Sequence, residues 1–342
     1  MIDFNETIIR KLIVHRISND AHKSSVSDNL YNYQNEEEEE ILKKIFLKPF
    51  ASISATNEFT HKINIALNPL FKISQAIFED EDFIGKSKDI FTHLKSVSKH
   101  PNIKDGDLFI VKYDDIKMDN GFYEALGIYK IENKERFIET TTRENGEIGL
   151  NFKSGIGGKR LDKACLIVFN KVPYTLLVID NGAVETEYWK NDFLSVDYKN
   201  DYINSTNQFM ALTKSFVTDR FPVEHQVTKA DQIDLLNRSV NYFKSNETFS
   251  KQAFEKDVLL EESVINSFRD FDSAFREAKG IDLKDDFEIS RQAVKKQAKI
   301  FKNVLKLDRN FDIYIHGDKS LIEHGVEKDG RKYYKIYYNH EL

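Results

Sequence analysis

The stretch KSGIGGKR, residues 153–160, sets three glycines among Lys153, Lys159 and Arg160. Such a composition suggests a phosphate cradle, because backbone N–H groups of a glycine-rich loop can wrap an anion. A P-loop requires four residues between its glycines, then Lys and a hydroxyl residue for Mg²⁺. Here the spacing differs and Arg160 stands where the hydroxyl belongs. A dinucleotide loop follows a strand and opens a helix. The next residues in this chain, LDKACLIVFN, read instead as a strand over Leu161 to Asn170. The expectation is therefore a hairpin connection whose glycines supply positive φ.

The second constellation is ISRQAVKKQAKIFKNVLKLDRNF, from Ile289 to Phe311, with seven basic residues and one acid, Asp308. Seven minus one gives +6, inside a chain whose net charge is -6. Arg291, Lys295, Lys299, Lys302 and Lys306 recur at steps of four, four, three and four, which would align them along one face of a helix. Val294, Ala298, Phe301 and Leu305 would form the opposite, buried stripe. Stacked like charges repel unless acids or phosphates lie against them. The stripe is thus either a face neutralised by the acidic Glu261 to Glu288 region or a surface for the nucleic-acid backbone. Five neutralised phosphates would give a log affinity versus log salt slope of about -4 to -5.

Other chemistry finds less support. The nine histidines are scattered and form no HExxH pair. The carboxylate pairs Asp105 with Asp107, Asp114 with Asp115, and Glu185 with Glu187 lack the acid-then-Glu-x-Lys order of a metal-dependent nuclease. The closest approximations, Glu132-Asn133-Lys134 and Glu327-Lys328-Asp329, sit at turns or in the wrong order. No Gly-x-Ser-x-Gly elbow is present. Tyr333, Tyr334, Tyr337 and Tyr338 could stack bases beside Lys332 and Lys335, but the simpler expectation is the buried cross-strand face of a hairpin. Cys165 is the single cysteine, so neither an intrachain disulfide nor a cysteine-based zinc site can form; its apolar run makes it a core residue.

The elements that must position these residues begin with IIRKLIVHRI as a strand over Ile8 to Ile17. EEEEEILKKIF comes next as a helix whose carboxylates sit at the positive end of its dipole. Helical spacing extends over Phe71 to Val97. From Asp105 the period changes to short alternating runs (GDLFIVKY, GFYEALGIYKI, RFIETTT, LDKACLIVF, YTLLVID), an antiparallel meander. DYINSTN lacks periodicity and marks a boundary, giving domains 1–204 and 205–342. Helices are expected over Gln208 to Phe221, stopped by Pro222, then Asp231 to Phe243, Glu261 to Ala278 and Glu288 to Leu305. The chain closes with FDIYI and a hairpin through Lys328-Asp329-Gly330-Arg331. The fold class is α+β: an N-terminal antiparallel sheet with helices, and a mostly helical C-terminal domain closed by a small antiparallel sheet.

With 342 residues, 40% hydrophobic and 31% charged, the chain can bury a substantial core. No run approaches the roughly 18 apolar residues of a membrane span. Asp3 and Glu6 stand where a secretion signal would be basic, so a cytoplasmic location is expected.

The order of IIRKLIVHRI, SDNL, GDLFIVKY with YEALGIYKI, KRLDKACLIV, FMALTKSFVTDRF and a helix-to-hairpin ending resembles the 37-kDa nucleoid-associated protein family of bacteria. The mass of 39.9 kDa fits that class. The resemblance implies a cytoplasmic protein of the nucleoid that binds DNA, with no assigned reaction or cofactor. It brings no contact motif, so the candidate DNA-binding residues rest on charge and spacing alone: Arg291, Lys295, Lys299, Lys302 and Lys306, with Lys153, Lys159 and Arg160 as a second contact. The alternatives are recruitment to the chromosome by a DNA-bound protein partner, which the acidic balance favours, and a metal-dependent nuclease. Oligomeric state is open at this point, although the exposed edge strands of YYKIYY could pair across a homodimer.

Overall fold

The computed structural model describes residues 2–158, 160–181, 188–299, 304–315 and 321–340. Contacts group the chain into two units, residues 1–199 and 200–342. In chain order the first contains β1 (Ile2–Asp3), β2 (Ile8–Ile17), α1 (Glu36–Phe46), β3 (Asn57–Phe59), α2 (Pro69–Phe78) and α3 (Phe83–Val97). Then come β4 (Gly106–Met118), β5 (Gly121–Ile131), β6 (Glu135–Thr142), β7 (Ile148–Gly155), β8 (Lys163–Val168), β9 (Thr175–Asp180) and β10 (Val196–Tyr198).

Antiparallel pairing builds an eight-stranded sheet in the order β1-β4-β5-β8-β9-β3-β10, with β2 also paired to β4. Strand periodicity of two sends alternate residues to opposite faces. Leu126, Ile128, Cys165 and Ile167 thus join one core with Leu70, Phe71, Ile90 and Leu94 of α2 and α3. Ala125, Tyr129, Leu166 and Val168 join another with Phe46 of α1. Burial on both faces explains why ACLIV, residues 164–168, is continuously apolar rather than alternating. The acidic start of α1 is used locally: Asn35 caps Glu38 N–H, and Glu39 accepts from the backbone of Ile9.

The expected helical span from Phe71 to Val97 is two helices. Residues 79–82 break it, with Asp80 at φ 57, in the left-handed region that disfavours helix continuation.

The second unit holds α4 (Tyr202–Ser215), α5 (Phe221–Glu224), α6 (Lys229–Ser245), β11 (Thr248–Ser250), α7 (Lys251–Phe254), α8 (Glu262–Lys279), β12 (Asp286–Glu288) and α9 (Arg291–Ala298). Four strands end the chain: β13 (Val304–Leu307), β14 (Phe311–Tyr314), β15 (Ile322–Val326) and β16 (Lys332–Ile336). Its core is rich in phenylalanine, with Phe209 among Phe243, Phe249, Phe254 and Phe268. The chain is α+β.

Two local expectations are corrected. DYINSTN is not irregular: Asp201 accepts from Asn204 N–H and starts α4, whose first turns bury Asn204, Ser205 and Thr206. Burial of polar residues hid the helical period. Pro222 does not stop a helix but sits in the first turn of α5, after a π-type turn over residues 216–220.

Candidate nucleic-acid interface

The basic segment does not form one long helix. α9 ends at Ala298, and Val304 to Leu307 is a strand antiparallel to β14. Leu305 is buried as expected, but in a sheet packed with Ala230, Ile233 and Ile315. A helical wheel therefore cannot place Lys306 in line with Lys295. The cross-strand pairing of Leu305 with Ile313 on β14 overrides the helical pattern. Lys302 and Phe301 lie outside the described residues.

What α9 presents is a two-turn basic face. Ser290 caps it, accepting from Ala293 N–H at 3.3 Å, and its own N–H donates to Thr206 Oγ1 at 3.0 Å. Ala293 and Val294 are buried, and Gln297 donates to Asn207 of α4 at 3.1 Å. That fixes the rotation of the helix and leaves Arg291, Lys295, Lys296 and Lys299 exposed.

These four cations are not equivalent. The Arg291 guanidinium donates to the carbonyl of Lys244 in the last turn of α6, where a cation complements the helix dipole. Lys295, Lys296 and Lys299 make no hydrogen bond or ion pair with any described residue. Lys306, on β13, is 3.2 Å from Asp312. Lys296, absent from the spaced stripe, belongs to the face because it extends around the helix by 100° from Lys295. The wheel of α9 alone would have included it.

Of the Glu261 to Glu288 acids expected to neutralise this face, Asp272 and Asp285 are engaged elsewhere, and none of the region pairs with Lys295, Lys296 or Lys299 among the described residues. Asp272 is held by Lys251 and Arg276, both within 2.6 Å. Arg276 also reaches Asp285 at 3.3 Å, while Glu255 pairs with Arg269 at 2.7 Å. The positive charge of α9 is left to solvent or to a ligand.

The glycine loop carries a different correction. Residues 153–155 are the end of β7, which pairs with β6, whereas β8 pairs with β5 and β9. KSGIGGKR thus connects two sheets rather than closing a hairpin. None of Gly155, Gly157 or Gly158 has a positive φ; a Cβ on Gly157 would meet the Glu135 carboxylate at 2.5 Å. Lys153 Nζ is 2.6 Å from Glu139, and Arg160 donates to the carbonyl of Asn181. Lys159 lies outside the described residues. The two cations with described positions have partners within the chain.

Strand alternation also revises the tyrosine cluster. Of the four tyrosines, Tyr334 packs inward, against the core that includes Leu305. Tyr333, Tyr337 and Tyr338 are exposed, and Lys335 Nζ lies 4.6 Å from the Tyr337 ring centre. The hairpin runs through Gly330 at φ 88, as the KDGR turn requires.

In the first unit a cavity of about 610 Å³ is lined by Arg10, Lys11, Lys112, Asp80, Asp114 and Glu124, among others. Each cation has a carboxylate: Arg10 with Asp114 at 3.3 Å, Lys11 with Asp80 at 3.8 Å, and Lys112 with Asp80 and Glu124 at 2.6 and 2.9 Å. Burial disfavours the Lys112 charge, but these two carboxylates raise its pKa above the ordinary lysine value. The network is neutralised internally and is not an anion site. Among the described residues no group of three or more His, Cys, Asp or Glu side chains could hold a metal ion. Glu185 and Glu187 lie outside them.

A family model described as nucleoid-associated protein YejK matches residues 13–331, nearly the whole chain. The chain belongs to the nucleoid-associated protein YejK family. Membership places it with proteins of the nucleoid, in agreement with the resemblance carried by its strand and helix segments. Comparison with curated proteins gives no match. Among the described residues of this YejK-family protein no helix is long and apolar enough to cross a membrane.

Proposed function

We propose that this protein binds the phosphate backbone of DNA through the exposed face of α9, without sequence preference and without catalysing a reaction. The supporting observation is Lys295, Lys296 and Lys299 standing together, unpaired with any described residue, on a helix whose rotation is fixed by buried contacts. Lysines contact phosphates as point charges and read no base edge, which suits sequence-independent binding. The exposed tyrosines beside Lys332 and Lys335 offer stacking faces for unpaired bases.

Fluorescence anisotropy of a labelled duplex at low salt tests this. Wild-type protein should bind, and the Lys295→Glu, Lys296→Glu, Lys299→Glu variant should lose most of that affinity while its melting temperature is unchanged. No binding by folded wild-type protein would refute the proposal. The net charge of -6 supports a second reading, in which a DNA-bound protein recruits the chain. On that reading naked DNA is not bound and the variant behaves as wild type.

A further inference from the structure

The β6–β7 ribbon is a two-stranded sheet of its own, in register from Glu135 opposite Gly155 to Thr142 opposite Ile148. A hairpin standing alone is marginal in water unless one face is covered. One face is partly covered by its own side chains, although Phe137 remains 49% exposed. Phe137 lies against Gly155, Arg143 lies over Gly149, and Lys153 pairs with Glu139. The other face consists of the pairs Ile138–Phe152, Thr140–Leu150 and Thr142–Ile148. Its four large side chains are uncovered: Ile138 is 57% exposed, Phe152 71%, Leu150 61% and Ile148 75%. So much apolar surface on one side of an eight-residue ribbon marks an interaction site.

Charge selects the occupant. Residues 134–155 contain Lys134, Arg136, Arg143 and Lys153 against Glu135, Glu139, Glu144 and Glu147, so four minus four leaves no net charge. That is unsuited to phosphate backbone or to an anionic membrane surface, both of which call for excess cations. The arrangement is instead self-complementary. Arg136 stands four residues before Thr140, the middle of the apolar face, and Glu144 stands four residues after it. Neither has a partner among the described residues. A two-fold axis through Thr140 and Leu150 therefore sets Arg136 of each copy against Glu144 of the other, with the apolar rows between them.

We infer that this ribbon pairs with the same ribbon of a second copy, apolar face to apolar face and antiparallel. The interface is isologous, as two-fold homodimers require. It differs from the YYKIYY edge to which the sequence pointed, and it does not depend on DNA binding.

Sedimentation equilibrium of the full-length chain, without DNA, tests the pairing. Wild-type protein should be dimeric. Phe152→Asp, at a site already exposed in the single chain, should weaken association by roughly tenfold or more without lowering the melting temperature. Arg136→Glu and Glu144→Arg should each weaken it, and the two together should restore it. Wild-type protein that stays monomeric at the highest attainable concentration overturns the inference, as does a dimer that Phe152→Asp leaves intact. A monomer that co-sediments with phosphatidylcholine–phosphatidylglycerol vesicles, and loses this with Phe152→Asp, would assign the face to lipid instead. Failure of the charge exchange to rescue would overturn the two-fold arrangement.

Discussion

His15 is buried in the first unit with both ring nitrogens committed. Nδ1 accepts from Ser27 N–H at 3.1 Å, which leaves Nε2–H to donate to Ser87 Oγ at 3.0 Å. Only the neutral imidazole fits this arrangement. Burial, aided by the Lys88 charge, lowers its pKa from 6.5 to about 4. Because the folded value lies below the unfolded one, the unfolded chain takes up the proton first as pH falls. Stability is fully present above 6.5 and is lost between 6.5 and about 4, by on the order of 3 kcal/mol. Urea midpoints from pH 7 to 4 should fall across that window, and His15→Asn should flatten the fall; an unchanged pH slope in the variant would show that His15 is not the source. Lys130 raises a second residue-level expectation. Its ammonium is held by Glu132 at 2.8 Å and by the Lys104 carbonyl at 2.6 Å, while burial pulls its pKa below the ordinary value. Lys130→Met leaves the Glu132 carboxylate buried and unpaired, at a cost of about 3–5 kcal/mol measurable by chemical denaturation.

Among the elements, α9 depends on a short set of interactions. Ser290→Ala removes its cap and should cost about 1 kcal/mol, with a parallel loss of DNA affinity as the lysine face frays. Equal affinity in that variant would mean that the helix need not be ordered for binding. The central strands were legible because burial leaves strong periodic signals: GDLFIVKY falls within β4, which runs on to Met118, and Gly121 to Ile131 and the ACLIV run fall where alternation and apolar runs placed them. The basic stripe was only partly legible. Its four-four-three-four spacing is real in the sequence, but Leu305 answers to a sheet partner, Ile313, that no local pattern reveals. The tyrosine hairpin was misread for a related reason. Its turn chemistry fixed the connection, whereas which tyrosine faces inward depends on Leu305 and Ile322 packing against Tyr334. The acidic Glu261 to Glu288 region looked like a source of counterions for α9, and only the geometry shows its Asp272 paired with Lys251 and Arg276 and its Asp285 with Arg276.

At the scale of the whole molecule, an acidic chain reaches DNA only by concentrating unpaired cations on one element. The sum of charges therefore matters less than their pairing. The five-phosphate expectation shrinks accordingly, since Arg291 caps α6, Lys306 is paired and Lys302 is undescribed. Three lysines without a partner among the described residues imply a salt slope of about -3 for one copy, and a dimer that presents both α9 faces to one duplex would approach about -5. The measurement that tests the central claim most directly is this slope, read by anisotropy across a salt series for wild type and for the Lys295→Glu, Lys296→Glu, Lys299→Glu variant. The account predicts a wild-type slope between about -3 and -5 that collapses in the variant. A slope that the substitutions leave unchanged would show that DNA is held elsewhere and would contradict it.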